Sequence, residues 1–427
     1  MTVETIKYPA REQWPQLMQR AVAETRELHD TVAHIMANVK QHGDQALRDY
    51  AAKFDHVDLG DLAVSQAEID EASASLDSEL KAAIDQAASN IAKFHEAQRM
   101  QPIEVETSPG VTCSQRAVPI TDVGLYIPGG NSPLFSTVLM LGMPARIAGC
   151  RNVEMCTPCG PHGKVHPAIL YAAQRCGIDR IYKSGGAQAI AAMTYGTETI
   201  ARVSKIFGPG NRFVMEAKMQ AQYDNVAIDM PAGPSEVMVV ADDSANPRYV
   251  ASDFLSQAEH GPDSQSTLLT TSEDFAQQLP QVIDELLSSL PRQEMMKKSL
   301  SHSHIIVMHS IDEVMDYVNA YAPEHLILNC ADALALASRV VNAGSVFLGP
   351  YSPESAGDYA SGTNHTLPTS GYAHAYSGVN LDSFTKKITF QRLSQAGLEG
   401  IGRTVELMAE AEDLMAHRLA VAVRLGQ

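Results

Sequence analysis

Val123-Gly-Leu-Tyr-Ile-Pro-Gly-Gly130 is a short apolar run and a glycine-bearing turn, followed by a helical segment from about Ser132 to Ala148. Short apolar runs bounded by Gly and Pro are typical of buried strands, and longer stretches with apolar residues at helical spacing are typical of amphipathic helices. The same order of strand, turn and helix recurs up to Asp229 and restarts at Ser235. Strands that alternate with helices predict a parallel sheet covered on both faces.

The rhythm of the whole chain therefore predicts an α/β protein with two Rossmann-like parallel-sheet units of about five strands each. The N-terminal region, up to about residue 115, has the apolar spacing of helices. The rhythm stops near residue 380, and residues 400–425 form a long helical pattern that has no sheet to complete. A helical tail outside a finished core usually packs on a partner subunit, so we predict a C-terminal dimerisation tail.

The composition excludes several kinds of partner. The net charge of −18 argues against nucleic acid and against an anionic membrane surface, because both are bound through Lys and Arg. We find no apolar run long enough to span a bilayer and no secretory pattern at the N-terminus. Six cysteines spread over 427 residues predict no disulfide framework, and the predicted compartment is a reducing cytosol.

One helix end carries two potential metal ligands. Asn246-Pro247 is a good cap and first-turn pair, and Gly261-Pro262 ends the helix that follows. Gln257 and His260 are three residues apart near that end, where side chains share a face. The negative pole of the helix favours a cation there. One side-chain oxygen and one imidazole make half of a metal site.

Three glycine-bearing turns in the first unit join a strand to a helix: Pro128-Gly129-Gly130-Asn131, Ser184-Gly185-Gly186-Ala187-Gln188 and Gly208-Pro209-Gly210-Asn211. Each places backbone N–H groups at a helix start, which suits a pyrophosphate at the carboxyl ends of the strands. None is G-x-G-x-x-G or a Walker loop. Because glycine is common in such turns for packing reasons, a purely structural role remains open.

Several long motifs resemble histidinol dehydrogenase, in the order of that family and from about residue 25 onward. They are Val123–Gly130, Gly185-Gly-Ala-Gln-Ala189, Phe207-Gly-Pro-Gly-Asn211, Ala227-Ile-Asp-Met-Pro-Ala-Gly-Pro-Ser-Glu236, Ser256-Gln-Ala-Glu-His-Gly-Pro-Asp263, Ala322-Pro-Glu-His-Leu326, Gly357-Asp-Tyr-Ala-Ser-Gly-Thr-Asn-His365 and Ala411-Glu-Asp-Leu-Met-Ala-His417. Enzymes of that family oxidise L-histidinol to L-histidine through histidinal, the last steps of histidine biosynthesis, using two NAD and one zinc ion.

The resemblance implies a zinc ion in each subunit, a proton-transfer pair and NAD contacts. The implied zinc ligands are Gln257, His260, Asp358 and His417, and the implied acid–base pair is Glu324 and His325. The implied substrate contacts are Ser235, Gln257, His260, His325, Asp358, His365, Glu412 and His417, and the implied NAD contacts are Tyr126, Gln188 and Asn211. A nitrogen and oxygen set suits zinc, and a histidine near neutrality suits proton transfer.

Two points of local geometry bear on these roles. Glu324 and His325 are neighbours at the edge of a predicted strand, so both side chains reach one site only if they lie in the loop. Glu412 and His417 are five apart, about 140° around a straight helix, so both reach one site only if the helix bends or if each serves a different wall of the site. Asp413 is four residues from His417 and is the better partner on the same face.

The resemblance also implies a domain division. It consists of an N-terminal arm at 1–25, a zinc-binding and catalytic domain formed by 26–122 with 236–378, an NAD-binding domain at 123–235 and the dimerisation tail at 379–427. In the family the tail reaches across a homodimer, so His417 and Glu412 would complete the neighbour's site.

Cys156-Thr-Pro-Cys159-Gly-Pro-His162-Gly-Lys-Val-His166 has the spacing of a zinc knuckle. The histidinol dehydrogenase pattern does not require this segment. The spacing alone therefore supports a second metal site at these four side chains.

Three other functions remain as alternatives. A related zinc- and NAD-dependent alcohol dehydrogenase could act on another small polar alcohol. A zinc hydrolase needs only a metal, a glutamate and a water, but the chain lacks H-E-x-x-H. A non-catalytic metabolite-binding protein would have no use for the Glu324–His325 pair.

Overall fold

The structure is a computed structural model that describes residues 3–20, 26–129 and 132–426. Residues 21–25 of the predicted helical N-terminal region, and Gly130 and Asn131 of the first glycine turn, lie outside the described residues.

Helices and strands alternate through most of the described chain. The α-helices are Trp14–Leu17 (α1), Arg26–Tyr50 (α2), Gln66–Ser75 (α3), Ser78–Glu96 (α4), Phe135–Ala148 (α5), Pro167–Cys176 (α6), Gly186–Tyr195 (α7), Arg212–Ala221 (α8), Pro247–Ala258 (α9), Glu273–Leu287 (α10), Gln293–Leu300 (α11), Ile311–Tyr321 (α12), Ala333–Ala337 (α13), Glu354–Tyr359 (α14), Gln395–Ala411 (α15) and Met415–Ala422 (α16). The strands are Glu4–Lys7 (β1), Ile103–Ser108 (β2), Val111–Pro119 (β3), Asp122–Tyr126 (β4), Asn152–Thr157 (β5), Arg180–Lys183 (β6), Lys205–Phe207 (β7), Ala227–Ile228 (β8), Glu236–Ala241 (β9), Gln265–Thr270 (β10), His304–Val307 (β11), His325–Asn329 (β12), Ser345–Leu348 (β13) and Thr385–Leu393 (β14).

Two parallel sheets form the centre of the protein, as predicted. The five-stranded sheet has the order β6-β5-β4-β7-β8, and the six-stranded sheet has the order β1-β11-β10-β9-β12-β13. Each sheet has a buried apolar cluster on both faces, which is why its inner strands are continuous apolar runs. The predicted α/β class is therefore confirmed.

The sixth strand of the larger sheet comes from the N-terminal arm. β1 pairs in parallel with β11, so that Glu4 lies opposite His304. This strand was not predicted because it is a short edge strand, Glu-Thr-Ile-Lys, with no apolar run to mark it.

A third, antiparallel sheet was also missed. β3 lies between β2 and β14, so the tail does complete a sheet, contrary to the expectation from its rhythm. β2 and β14 are exposed along most of their length. Exposed strands carry no periodic burial signal, which explains why residues near 103–119 and 385–393 were not predicted as strands.

The N-terminal helices α2 and α4 pack against the five-stranded sheet, and the predicted domain division stays a prediction. Val32 and Leu47 of α2, and Ile84 and Ile91 of α4, lie in the apolar clusters of the five-stranded sheet. The apolar faces of α2 and α4 therefore pack on the unit formed by 123–235, while His95 of α4 also contacts Asn364 of the unit formed by 236–378. Val3 and Trp14 of the arm pack instead on the six-stranded sheet. The cause is the apolar face of each helix, whose partner cannot be read from the order of the chain.

The tail contains two helices where the sequence analysis predicted one. The chain breaks between α15 and α16 at Asp413, which has a left-handed backbone (φ 57°). The angle calculated for Glu412 and His417 on a straight helix therefore does not apply. Several apolar side chains of this tail are exposed, namely Leu407, Met408, Leu414, Met415, Leu419 and Val423.

Within the described chain, no helix is both long enough and apolar enough to cross a membrane. All six cysteines are free, in keeping with the predicted lack of a disulfide framework.

We predict that acid destabilises the fold through His95. This side chain is fully buried, its Nδ1–H donates to Ile91 O (2.8 Å), and its Nε2 accepts from Asn364 Nδ2 (3.4 Å). Burial lowers the pKa of His95, so the unfolded chain binds this proton more readily than the folded chain. The stability that His95 contributes is complete above its unfolded pKa of about 6.5 and is lost as the pH falls from there through the folded value.

Urea unfolding at a series of pH values checks this. His95→Asn is expected to lower the free energy of unfolding near pH 8 by about 1–3 kcal/mol and to flatten its fall below pH 6.5. The control is the exposed residue His162, replaced by Asn, which should keep the wild-type slope. A His95→Asn curve parallel to that of the wild type would contradict the prediction.

Candidate active site

The predicted acid–base and metal residues gather at the amino edge of the six-stranded sheet. β9 begins at Glu236 and β12 begins at His325, directly after Glu324. α9 follows β9 and runs back along the sheet, so its last turn brings Gln257 and His260 to the same edge. These candidate residues thus lie at the edge opposite to the carboxyl ends of the strands, where open α/β sheets usually bind ligands.

Three side chains form a group that suits a cation. Ligand atoms of His260, Glu354 and Asp358 all lie within 4.8 Å of one another. Glu354 and Asp358 are four residues apart on α14 and share one face of it. Glu354 was not predicted from the sequence, where its only signal is this spacing from Asp358.

Several buried polar atoms of this site have no hydrogen-bond partner. They are Gln257 Oε1 and Nε2, both carboxylate oxygens of Glu354, and Asp358 Oδ1. A buried polar atom without a partner is costly, and such exceptions mark functional sites or bound ions. The oxygen and nitrogen donors Gln257, His260 and Asp358 therefore fit a zinc ion.

Glu324 and His325 reach the same place, as the predicted pair requires. His325 Nδ1 lies 3.6 Å from Glu324 Oε2 and 3.8 Å from Glu354 Oε1, and His325 Nε2 lies 3.4 Å from Asp358 Oδ1. Their side chains do not point apart because Glu324 precedes the strand. The chain turns just before it at Ala322, which has a left-handed backbone (φ 53°).

The charges of this cluster are strongly perturbed. Burial raises the pKa of Glu324 to about 8, and burial likewise raises the pKa of Glu354 to about 8. Burial alone would lower the pKa of His325, but the surrounding carboxylates outweigh it and raise that pKa to about 10. Burial would raise the pKa of Asp358, but His325 beside it holds the pKa below its usual value. In this arrangement His325 is the cation that the carboxylates share.

His365 connects the site to the other sheet. Its Nδ1–H donates to Asp358 O (2.9 Å), and its Nε2 accepts from Thr137 Oγ1 (3.1 Å). Thr137 is in the first turn of α5, which follows β4 of the five-stranded sheet. Burial lowers the pKa of His365, so the neutral ring is favoured. Ser235, the residue before β9, is half-buried and its carbonyl accepts from Gln265 N–H (3.2 Å).

The predicted NAD residues lie at the carboxyl edge of the five-stranded sheet. Tyr126 ends β4, and its hydroxyl accepts from Gly186 N–H (3.1 Å) at the start of α7, which also carries the buried Gln188. Asn211 follows β7 and caps α8, where Oδ1 accepts from the N–H groups of Phe213 (3.0 Å) and Val214 (3.1 Å). This cap is a structural role for Asn211, and a contact with NAD stays a prediction.

The turn after β7 has room only for glycine at its first position. Gly208 has a φ of 127°, and a Cβ atom there would lie 2.1 Å from Tyr126 O. Gly208 therefore lets two neighbouring strand ends approach each other closely at this edge.

Glu412 and His417 do not join the cluster within their own chain. Both are exposed, Glu412 at the end of α15 and His417 in α16. The site of a single chain thus contains Gln257, His260 and Asp358 of the predicted zinc ligands.

The Cys156–His166 segment does not form a comparable group. Among the described residues, His260, Glu354 and Asp358 are the one set of three or more His, Cys, Asp or Glu side chains close enough to share an ion. Cys156 is fully buried in β5, and burial raises the pKa of both Cys156 and Cys159. His166 Nδ1 accepts from Ala168 N–H and caps α6.

Comparison with known proteins identifies the family of this chain. Residues 18–425 match the family model described as histidinol dehydrogenase. Histidinol dehydrogenase of Bacteroides fragilis is 56% identical over 425 residues, covering 100% of this chain and 99% of that protein. The corresponding protein of Shigella dysenteriae is 51% identical over 419 residues, covering 98% and 96%. The crystal structure of histidinol dehydrogenase from Elizabethkingia anophelis superposes with a TM-score of 0.97 at 52% identity, covering 99% and 98%. This chain therefore belongs to the histidinol dehydrogenase family.

Proposed function

We propose that this protein oxidises L-histidinol through L-histidinal to L-histidine, the last steps of histidine biosynthesis, with two NAD and one zinc ion per subunit. The observation that carries the proposal is the buried group of Glu324, His325, His260 and Asp358 at one sheet edge. Membership of the histidinol dehydrogenase family also favours this function over that of a zinc hydrolase. The predicted cytosolic location stays a prediction.

Zinc would be held by Gln257, His260 and Asp358 of one chain and by His417 of a second chain. The unpartnered oxygens of Gln257 and Asp358 support this set. When bound, the ion supplies coordination positions for the imidazole and amine of the substrate and so fixes its orientation. A divalent charge beside Asp358 also opposes the protonation of His325, which brings this base closer to neutrality.

In the first oxidation, His325 accepts the proton of the alcohol while the carbinol carbon transfers a hydride to NAD. The products are the aldehyde, NADH and one proton on His325. His325 is suited to this because its ring nitrogens have no hydrogen-bond partner of their own, although three carboxylates surround it.

In the second oxidation, water adds to the aldehyde, and Glu324 accepts a proton from that water. The hydrate anion that results then transfers a hydride to a second NAD and becomes the carboxylic acid. The balance is one alcohol, one water and two NAD converted to one carboxylate, two NADH and three protons. Burial raises the pKa of Glu324 to about 8, which makes its ionised form a stronger base than an exposed glutamate.

The remaining contacts follow from the same placement. We assign Ser235 and His365 to the substrate and Tyr126, Gln188 and Asn211 to NAD. The substrate would then lie between the amino edge of one sheet and the carboxyl edge of the other. The bond between His365 and Thr137, which joins the two units, supports this location.

We also propose a homodimer in which the tail completes the site of the neighbour. Glu412 and His417 are exposed in the single chain, and the tail around them carries exposed apolar side chains such as Leu414, Met415 and Leu419. A partner surface would bury these side chains and bring His417 to the zinc ion.

We predict that about two NADH form for each histidinol consumed, as the balance above requires. Absorbance at 340 nm measures this, and removal of zinc by a chelator should abolish it until zinc is returned. A protein that binds stoichiometric zinc but forms no NADH from histidinol would contradict the proposed function.

We predict that His325→Ala lowers turnover by about 10²–10⁴-fold while zinc content stays near one ion per subunit. The reason is that His325 transfers protons and is not a ligand in this proposal. Metal analysis beside activity measures both quantities, and His260→Ala is the matched variant that should lose zinc. Equal loss of zinc in both variants would make His325 a ligand instead.

We predict that inactive His417→Ala and His325→Ala chains recover activity when they are mixed and allowed to exchange subunits. A hybrid dimer then has one complete site of two. Random exchange of equal amounts makes about half of the dimers hybrids, so we expect about a quarter of wild-type activity. Mass spectrometry of differently tagged chains shows whether hybrids form. No recovery in samples that contain hybrids would contradict the exchanged tail.

A further inference from the structure

A buried ion-pair network lies directly behind Glu324 and is not used by the mechanism above. Its centre is Glu236, whose side chain is 2% exposed. Arg20 of the N-terminal arm donates to both oxygens of Glu236, from Nε to Oε2 (2.8 Å) and from Nη2 to Oε1 (3.1 Å). Such two-pronged contacts hold a carboxylate in one orientation.

Tyr321 and Ser370 complete this network. The Tyr321 hydroxyl lies 3.0 Å from Glu236 Oε2 and 2.8 Å from Gln265 Oε1, and its single proton is shared between them. Ser370 N–H donates to Glu236 Oε1 (3.1 Å). Arg20 also donates to Tyr321 O (2.8 Å) and lies 3.9 Å above the Tyr321 ring. The carboxylate of Glu236 is thus held by four hydrogen bonds from three residues.

The backbone of Glu236 reaches the catalytic pair. Glu236 N–H donates to Glu324 Oε2 (2.9 Å), and this bond is buried. β9 starts at Glu236 and β12 starts at His325, which lies opposite Val237 in the parallel register. A rotation of the first peptide of β9 would therefore turn this N–H away from Glu324.

We infer that Arg20, through Glu236 and Tyr321, is a positioning residue for Glu324. The network keeps the Glu236 N–H on Oε2 of Glu324, so Oε1 is the oxygen that accepts the proton of the attacking water. The inference rests on the proposed role of Glu324 in the aldehyde step. It gives the N-terminal arm, whose β1 and Trp14 pack far along the same sheet, a part in the chemistry.

The arm also has a plain structural role, since Arg20 ties it to the sheet. If Arg20 had only a structural role, its replacement would lower the rates of both oxidation steps equally, in proportion to the loss of folded protein. A positioning role lowers the aldehyde step selectively, because water deprotonation by Glu324 occurs only there. The ratio of the two step rates therefore separates the two roles.

The experiment measures histidinol oxidation to the aldehyde and histidinal oxidation to the acid as separate single-turnover reactions of the full-length, zinc-loaded protein. Arg20→Met is expected to slow the aldehyde step by about 10–100-fold and the alcohol step by no more than about 3-fold. Zinc content and the KM for histidinol should not change. Arg20→Lys keeps the charge and should restore part of the aldehyde rate.

The chain offers a matched control in its other sheet. Glu154 of β5 is 1% exposed and binds Arg180 Nη1 (2.8 Å) and the Tyr182 hydroxyl (2.5 Å), the same three residue types. Arg180→Met breaks this second buried pair without touching the Glu324 site, so its ratio of step rates should equal that of the wild type.

The following outcomes decide whether the inference holds. Equal slowing of both steps in Arg20→Met, or the same ratio as in Arg180→Met, overturns it. If Arg20→Met does not fold, Tyr321→Phe is used in its place, and a change of less than about 2-fold in the ratio of the step rates for Tyr321→Phe overturns the inference.

Glu324→Gln distinguishes a failure of the proposed function from a failure of the inference. If it leaves the aldehyde step unchanged, the proposed role of Glu324 fails and the inference fails with it. If it slows that step while Arg20→Met and Tyr321→Phe do not, only the inference fails.

Discussion

The placement of three buried carboxyl groups around one histidine is the constraint on which the rest of the site depends. Glu324, Glu354 and Asp358 surround the single imidazole of His325 at one sheet edge, and burial raises the pKa of both glutamates to about 8. Three carboxylates and one imidazole cannot all be satisfied by each other in a medium of low polarity. Asp358 Oδ1 has no hydrogen-bond partner and is the oxygen of this group that the proposed zinc ion would bind.

The position of this charge follows from how the two sheets face each other. Strand starts and a helix end bring the acid–base and metal residues to the amino edge of the six-stranded sheet. Strand ends bring Tyr126 and the turn at Gly208 to the carboxyl edge of the five-stranded sheet. The hydrogen bond from Thr137 to His365 joins the two units. In the proposed function, the substrate is therefore bound mainly at the six-stranded sheet and NAD mainly at the five-stranded sheet.

Much of this arrangement was predictable because its local signals are strong. Buried strands such as Val123–Ile127 are continuous apolar runs, and the motifs around His260, His325 and Asp358 are long enough to identify the family. β1, β2 and β14 were missed because exposed edge strands have no apolar run or clean alternation. The sheet on which α2 and α4 pack could not be predicted, because an apolar helix face does not specify which sheet it will cover.

The order of apolar runs, glycine turns and long motifs along the chain thus sufficed for the α/β class, the family and the residue types of the site. It did not reveal Glu354, nor the contact from Arg20 through Glu236 to Glu324, which spans more than 300 residues of chain. Burial, unpaired oxygens and charge balance arise only when distant segments meet. They depend on distances in space, and a linear pattern contains no such distances.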